Sequence, residues 1–503
     1  MGNLSRRGFV ASAIPVVAAA AGSSPVLGLA QEPAWSLEAD VVVVGLGGAG
    51  CAAALAAIEA GASVIVLEGE SSAGGTTALC GGLIYCGGGT QTQIDAGVED
   101  TVDDMRAYLL AALGPSADPK LVETYCQNSL DNYQWLVDNG VTFDGGYDLE
   151  HHCIVAPEGV VLIYSGNERA VEYASIAKPA PRGHTPNGGG AGIIAALMDK
   201  IEASGKAEIL YETHATDLIK DESGAVVGVK AVADDGAELS VKGNGGVILT
   251  TGSFIYNDVL VSNYAPEAAL CAGRTGGPWD RGDGIVMGMR AGAATRSMSR
   301  LMLSEFLYQH GDMASGLLVN RNGLRFLAED WYGSWVGRRV MQETPEACYL
   351  VVDDAIMQGI AQGYSRKMPD PCVVSDSLEE LVEQLDVPSQ SLLDSIARYN
   401  AFVAEGEDED FHKSIEYMKP IATPPFYAYD ARPGNMAFSL TLGGLRINEN
   451  GEVLDLEESP IPGLYAAGRT SCGIYGDYPG SGSSVFDAIT FGRIAGTLAA
   501  DRA

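Results

Sequence analysis

EADVVVVGLGGAGCAAALAAIEAGASVIVLEGE, residues 38–70, decides the fold. Val41 to Val44 is a run of β-branched apolar residues with no polar alternation, as in a strand buried on both faces of a parallel sheet. Gly45, Gly47, Gly48, Ala49 and Gly50 follow in the spacing G-x-G-x-x-G. An Ala-rich helix comes next, then a strand from Ser63 to Leu67 that ends at Glu68. Glycine at those places permits a tight turn and lets the backbone approach a pyrophosphate resting on the helix N-terminus. A carboxylate at the tip of the second strand can accept hydrogen bonds from a ribose hydroxyl. A glycine turn in a nucleotide-free unit is the alternative, but strand, helix, second strand and acid together favour a dinucleotide. The expected class is α/β with a Rossmann-like domain.

The next stretch chooses the dinucleotide. SSAGGTTALCGGLIYCGGG, residues 71–89, holds Gly74, Gly75, Thr76 and Thr77, then Gly81 and Gly82. A second run of glycines directly after the acid is what an extended FAD needs as backbone passes along its ribityl chain. Downstream, Thr251 and Gly252 lie in GGVILTTGSF (245–254), and Gly468 and Arg469 end the strand-and-turn pattern IPGLYAAGR (461–469).

These segments, with TLGGLRINENGEVLD (441–455) and FDAITFGRIAG (486–496), resemble the fumarate reductase and 3-ketosteroid dehydrogenase flavoprotein superfamily in order over residues 38–500. The resemblance implies a Rossmann-like FAD-binding domain at 36–297 and 431–503, with an α+β capping domain inserted at 298–430. It also implies that Ser483, Ser484 and Val485 open a helix whose N-terminus faces the flavin, where it stabilises negative charge on the reduced cofactor.

GIYGDYPGSGSSVFD, residues 473–487, and RFLAEDWYG, residues 325–333, then separate the branches of that superfamily. Fumarate-reducing members carry a histidine where Tyr475 stands and an arginine where Pro479 stands. Their glutamate after the small-residue turn is Arg469 here, and their proton-donating arginine of the capping domain is replaced by Gly333, beside Tyr332. Fumarate reduction is therefore not expected. Tyr478-Pro479-Gly480-Ser481-Gly482 is similar to the Tyr-Pro-Gly-x-Gly segment of 3-ketosteroid Δ1-dehydrogenases, whose tyrosine hydroxyl and second glycine N–H hold the steroid carbonyl. Glu329 to Tyr332 resembles the stretch with the catalytic tyrosine in Δ1- and Δ4-dehydrogenases, with a spacing nearer the Δ4 type. The resemblance thus implies Tyr332, Tyr478, Gly482 and Tyr475 as catalytic or substrate-binding residues. It implies a hydrophobic enone or ketosteroid as substrate and an external electron donor or acceptor. Another unsaturated carbonyl, such as an aromatic acrylate or plant enone, is one alternative; an electron-transfer flavoprotein without an organic substrate is another.

Composition narrows the rest. With 503 residues, 47% hydrophobic and 19% charged, the chain is enzyme-sized. A net charge of −34 makes nucleic acid or an anionic membrane surface an unfavourable partner. The acidic run Glu405 to Asp410 is expected to be a solvated loop. LSRRGFVASAIPVVAAAAGSSPVLGLA, with Arg6 and Arg7 before an apolar stretch, matches a twin-arginine export signal over residues 1–30; Pro15 and Pro25 leave too short an apolar run to span a bilayer. The nine cysteines include no C-x-x-C pair, and His151, His152 and His310 have no partners at metal-ligand spacing, so no metal is expected. His184, before a glycine-rich helix start, is expected to make a structural hydrogen bond. No nucleophile elbow supports Ser/His/Asp hydrolysis. There are three further local readings: a helix within 184–205, a strand pair around Ser223-Gly224, and another around Asn322-Gly323. TPPFY (423–427) reads as a turn back to the first domain.

Overall fold

Val41 to Val44 are almost wholly buried, and the reason is their place at the centre of a sheet. The protein is described here from a computed structural model over residues 34–152, 158–305, 311–343, 346–360 and 370–503. The segment expected to be an export signal, Cys153 and His310 lie outside the described residues, as do the side chains of His151 and His152. Strand β1 (Leu37–Val44) pairs in parallel with β2 (Val64–Leu67) on one side and with the strand Glu238–Leu249 on the other. The sheet continues in parallel from β2 to Ala207–Leu210, and from Glu238–Leu249 to Pro460–Ala466. Thr213–Lys220 and Val226–Ala233 form the expected hairpin and join it antiparallel. Helix α1 (Gly48–Glu59) crosses from β1 to β2. A Cβ added at Gly50 would lie 2.0 Å from the Gly45 carbonyl oxygen, so only glycine lets α1 start this close to the turn.

Small residues set the next layer. Ala49, Ala52 and Ala53 of α1 face Gly492 and Gly496 of the helix Ser483–Arg502, which allows the two helices to pack closely. The helix expected within 184–205 spans Gly189–Ser204.

A second antiparallel sheet orders the strands Leu317–Asn320, Cys348–Asp353, Phe426–Asp430 and Val373–Ser375. It carries a hydrophobic core of its own, drawn from residues 313–436. Residues Trp35–Ala503 nonetheless form one compact unit.

Three local expectations change here. Around Asn322-Gly323 the turn forms, but only Leu317–Asn320 is a strand; beyond the turn a single Val319–Arg325 bridge remains. The Leu318 N–H donates instead to the Glu329 carboxylate at 3.0 Å, while Arg325 turns into a buried charge cluster. That cluster also takes one residue out of the acidic run, whose other members are exposed as expected. Asp408 is buried, with Arg325 held 2.8 Å from it and 2.8 Å from Glu329, because an interior guanidinium needs carboxylates around it. Finally, TPPFY leads into Phe426–Asp430, a strand of the second sheet, rather than straight back to the first.

Candidate active site

The turn after β1 is fastened to the residues beyond β2. The Leu46 N–H donates to Glu68 Oε2 at 2.6 Å and the Glu70 N–H to Glu68 Oε1 at 2.9 Å. Burial pushes the Glu68 carboxyl above its ordinary value, while these backbone bonds pull it back. Gly74 bridges to Gly47, and the Gly48 N–H donates to Thr77 Oγ1 at 3.2 Å. The second glycine run is thereby laid against the first, at the start of the short helix α2 (Gly75–Leu79).

A residue with no marked sequence pattern ties this corner together. Asp280, buried, accepts from Thr76 Oγ1 at 2.6 Å, from the Ser253 N–H at 2.8 Å and from the Gly277 N–H at 3.2 Å, and it lies 3.4 Å from the Arg469 guanidinium. Neither Asp280 nor its neighbour Trp279 is legible as a site residue from the chain alone. The signal that could have found them is Gly282-Asp283-Gly284 opening the helix Asp283–Arg290, a further glycine-rich helix start.

One cavity of about 1040 Å³ is lined by the glycine turns, by Glu68, by Thr251 and Gly252, and by Gly468 and Arg469. Tyr332, Tyr478, Gly482, Ser484 and Val485 line the same cavity. Its wall also includes Met287, Met302 and Leu440. Of the residues singled out from sequence, Gly50, Gly74, Ser483 and Tyr475 do not line it. Gly50 and Gly74 pack behind the turns, and Ser483 Oγ donates to the Gly480 carbonyl at 2.9 Å.

The tyrosines form a stack. The Tyr332 and Tyr478 rings are 6.3 Å apart and 21° from parallel, and Tyr475 stacks on Tyr478 at 5.7 Å and 12° without lining the cavity itself. Burial raises the Tyr332 hydroxyl well above 10, helped by nearby Tyr478 and Glu168 and opposed by Ser481. Burial raises Tyr478 as well, against the pull of Ser483 and of the Arg469 charge. Both phenols are protonated at neutral pH and so have a proton to donate.

His184 is buried and does not line the cavity. Its Nδ1 lies 3.0 Å from the Arg182 carbonyl, to which it donates, which leaves Nε2 to accept from Thr90 Oγ1 at 2.8 Å. Burial lowers it to about 4, so the imidazole is neutral at physiological pH. It is structural here, as expected.

The residues present fit an FAD. A Cβ added at Gly47 would meet nothing nearer than 3.8 Å, and one at Gly81 nothing within 4 Å, so both backbones are open to the cavity for a ligand to approach. The Trp279 indole N–H is buried at the cavity wall without a partner among the described residues, as a group with a polar ligand to serve would be. The helix Ser483–Arg502 presents its positive N-terminal end there.

The FAD-binding domain family model matches residues 40–485. The chain belongs to this family. It is an FAD-dependent oxidoreductase, within the fumarate reductase and 3-ketosteroid dehydrogenase flavoproteins. A solved structure similar to it is the 3-ketosteroid-Δ4-(5α)-dehydrogenase from Rhodococcus jostii RHA1 in complex with 4-androstene-3,17-dione. The identity is 36%, the TM-score 0.86, and the match covers 93% of this chain and 98% of that one. The NADH:acrylate oxidoreductase of Vibrio harveyi is 31% identical over 93% of this chain, which spans about half (51%) of that relative's length. The cytochrome-type fumarate reductase of Shewanella frigidimarina is 28% identical, with 92% of this chain and 77% of that protein covered. Among the described residues no helix is long and apolar enough to cross a membrane.

Proposed function

We propose that this FAD-dependent oxidoreductase acts on a carbon–carbon double bond conjugated to a ketone, in a flat apolar substrate of the 3-ketosteroid kind, and that it works as a reductase. The observation that carries the reading is the stacked pair Tyr332 and Tyr478 on the wall of the cavity that takes the flavin. A neutral carbonyl needs hydrogen-bond donors rather than a cation. The Tyr478 hydroxyl and the Gly482 N–H supply them. FAD, when bound and reduced by an external donor, would supply the hydride for the β-carbon. Tyr332 gives its phenolic proton to the α-carbon, the π bond is lost, and the phenolate is then reprotonated. Burial keeps this phenol protonated at neutral pH, the form in which it can give a proton. Electrons come from an external donor. The 36% identity to a dehydrogenase bound to a ketosteroid enone supports the substrate class.

A carboxylate substrate such as an acrylate is the second reading, favoured by the 31% relative. Against it, the cavity arginine nearest the stack, Arg469, already faces the buried Asp280. An electron-transfer protein without an organic substrate is disfavoured by the tyrosines sharing the flavin's cavity. The test mixes anaerobically reduced holoprotein with 4-androstene-3,17-dione, an aromatic acrylate and fumarate, and follows flavin reoxidation. Fast reoxidation by the ketosteroid alone is expected; reoxidation only by the carboxylates overturns the reading.

Export by the twin-arginine route is part of the proposal, on the strength of Arg6-Arg7 and the apolar stretch after them. Cell fractionation of the chain and its Arg6→Lys/Arg7→Lys variant tests it: the variant is expected to stay in the cytoplasm, and equal distribution overturns it.

A further inference from the structure

The segment Ser165–Glu168 touches both halves of the site without lining the cavity. On one side it grips the loop that carries Tyr478. Gly166 bridges antiparallel to Gly480, the Ser481 N–H donates to the Ser165 carbonyl at 2.8 Å, and Ser165 Oγ donates to the Ser481 carbonyl at 3.0 Å. Tyr108 locks the contact. Its hydroxyl donates to the Pro479 carbonyl at 2.7 Å and accepts the Asn167 N–H at 2.8 Å.

On the other side the segment reaches Tyr332 through one side chain. Asn167, 2% exposed, accepts the Tyr332 N–H on its Oδ1 at 2.6 Å. Tyr332 is the residue before the helix Gly333–Glu343, and its carbonyl receives the Trp335 N–H at 2.8 Å and the Val336 N–H at 3.2 Å. The helix thus holds one face of the Tyr332 peptide and Asn167 holds the other. With both bonds made, the backbone at Tyr332 cannot rotate without orphaning a buried donor, and the ring is held against Tyr478.

We infer that Asn167 is a positioning residue: its side-chain oxygen fixes the Tyr332 backbone so that the Tyr332 hydroxyl faces the reacting carbon while the same segment fixes Tyr478. The catalytic part of this rests on the proposed role of Tyr332 as proton donor; the structural part does not.

The experiment has two arms, both on full-length FAD-loaded protein. In the first, 3-fluorotyrosine is placed at position 332 and observed by fluorine NMR through a pH titration. The parent protein is expected to show one resonance that titrates well above free fluorotyrosine. Asn167→Ala is expected to shift or split that resonance and lower its midpoint by a pH unit or more, while Asn167→Asp, which keeps the acceptor oxygen, preserves it. Asn167→Ser, too short to reach the amide, replaces the alanine variant if that one fails to fold. An unchanged resonance and midpoint in the alanine or serine variant overturns the inference.

The second arm is a double-mutant cycle on single-turnover reoxidation by 4-androstene-3,17-dione. Asn167→Ala is expected to slow it roughly 10- to 100-fold in the parent and less than threefold in Tyr332→Phe, because both changes act through one hydroxyl. Equal slowing in the two backgrounds overturns the inference. Full speed in Tyr332→Phe alone removes the proton-donor role and leaves the first arm to decide the positioning.

Discussion

Thr76 donates a 2.6 Å hydrogen bond to Asp280, a residue 204 positions later in the chain. Through that bond the second glycine run, the loop before the helix Asp283–Arg290 and Arg469 share one buried carboxylate. Asp280→Ala leaves the Ser253 N–H without its acceptor, Thr76 without the partner of its hydroxyl and Arg469 without its counter-charge, while the Gly277 N–H keeps Thr76 Oγ1 at 3.0 Å. Each orphaned buried donor costs about 1–3 kcal/mol. The variant is expected to lose most of its flavin on gel filtration, read from the ratio of visible to ultraviolet absorbance. Full retention would show that this corner does not hold the cofactor.

The flavin itself should be FAD, one per chain and non-covalent. Heat or acid denaturation of the purified protein is expected to release all of it as FAD by chromatography. Release of FMN, or colour that stays with the precipitate, contradicts this.

Tyr332→Phe and Tyr478→Phe should differ in kind. The first removes a proton donor and is expected to lower kcat roughly 10²- to 10⁴-fold with little change in KM, because the ring remains. The second removes a carbonyl donor and should cost about 3 kcal/mol of transition-state stabilisation. Flavin content is expected to be unchanged in both.

Fumarate and succinate are expected to be neither substrates nor good inhibitors. Tyr475 and Pro479 stand where cations would grip the two carboxylates, and the Pro479 carbonyl is turned onto the Tyr108 hydroxyl. Steady turnover of fumarate with a chemical electron donor would sink this account of the loop.

Stability should depend on Asp487. The carboxyl is buried under the loop, accepts the Ile474 N–H at 3.2 Å, and is raised by burial to about 8. The unfolded chain gives up that proton near pH 4. The folded-state advantage is therefore full below about pH 4 and is lost as pH rises to about 8. Asp487→Asn has no such dependence. It is expected to gain on the parent by roughly 2–4 kcal/mol between pH 5 and pH 8 in urea melts. A constant difference across that range would show that Asp487 does not titrate there.

Distance along the chain separates the features it discloses from those it hides. β1, α1 and β2 are legible because strand, turn, helix and acid lie within 33 consecutive residues, each with its own periodicity. The pairing of β1 with Glu238–Leu249 leaves no local mark, since parallel partners meet through long crossovers. Tyr332 and Tyr478 stand out because the residues beside them keep a recognisable order. Asn167 does not: its role comes from its contact with Tyr332, 165 positions away, in a segment whose own pattern is unremarkable. Tyr475 shows the limit of reading by position, for a ring aligned with a ligand-binding histidine stacks on Tyr478 yet does not line the cavity.

The packing of the helix Ser483–Arg502 on α1 fixes an order of events in the cell. The ribosome makes the first glycine turn early, yet the surfaces that finish it arrive some 430 residues later. At 5–20 residues per second that interval lasts tens of seconds. Until then the small-residue face of α1 is bare, and the strand Pro460–Ala466 is missing from the edge of Glu238–Leu249. Until its C-terminal segment is made, a nascent chain lacks the part of the cavity wall that Gly468, Arg469, Ser484 and Val485 supply.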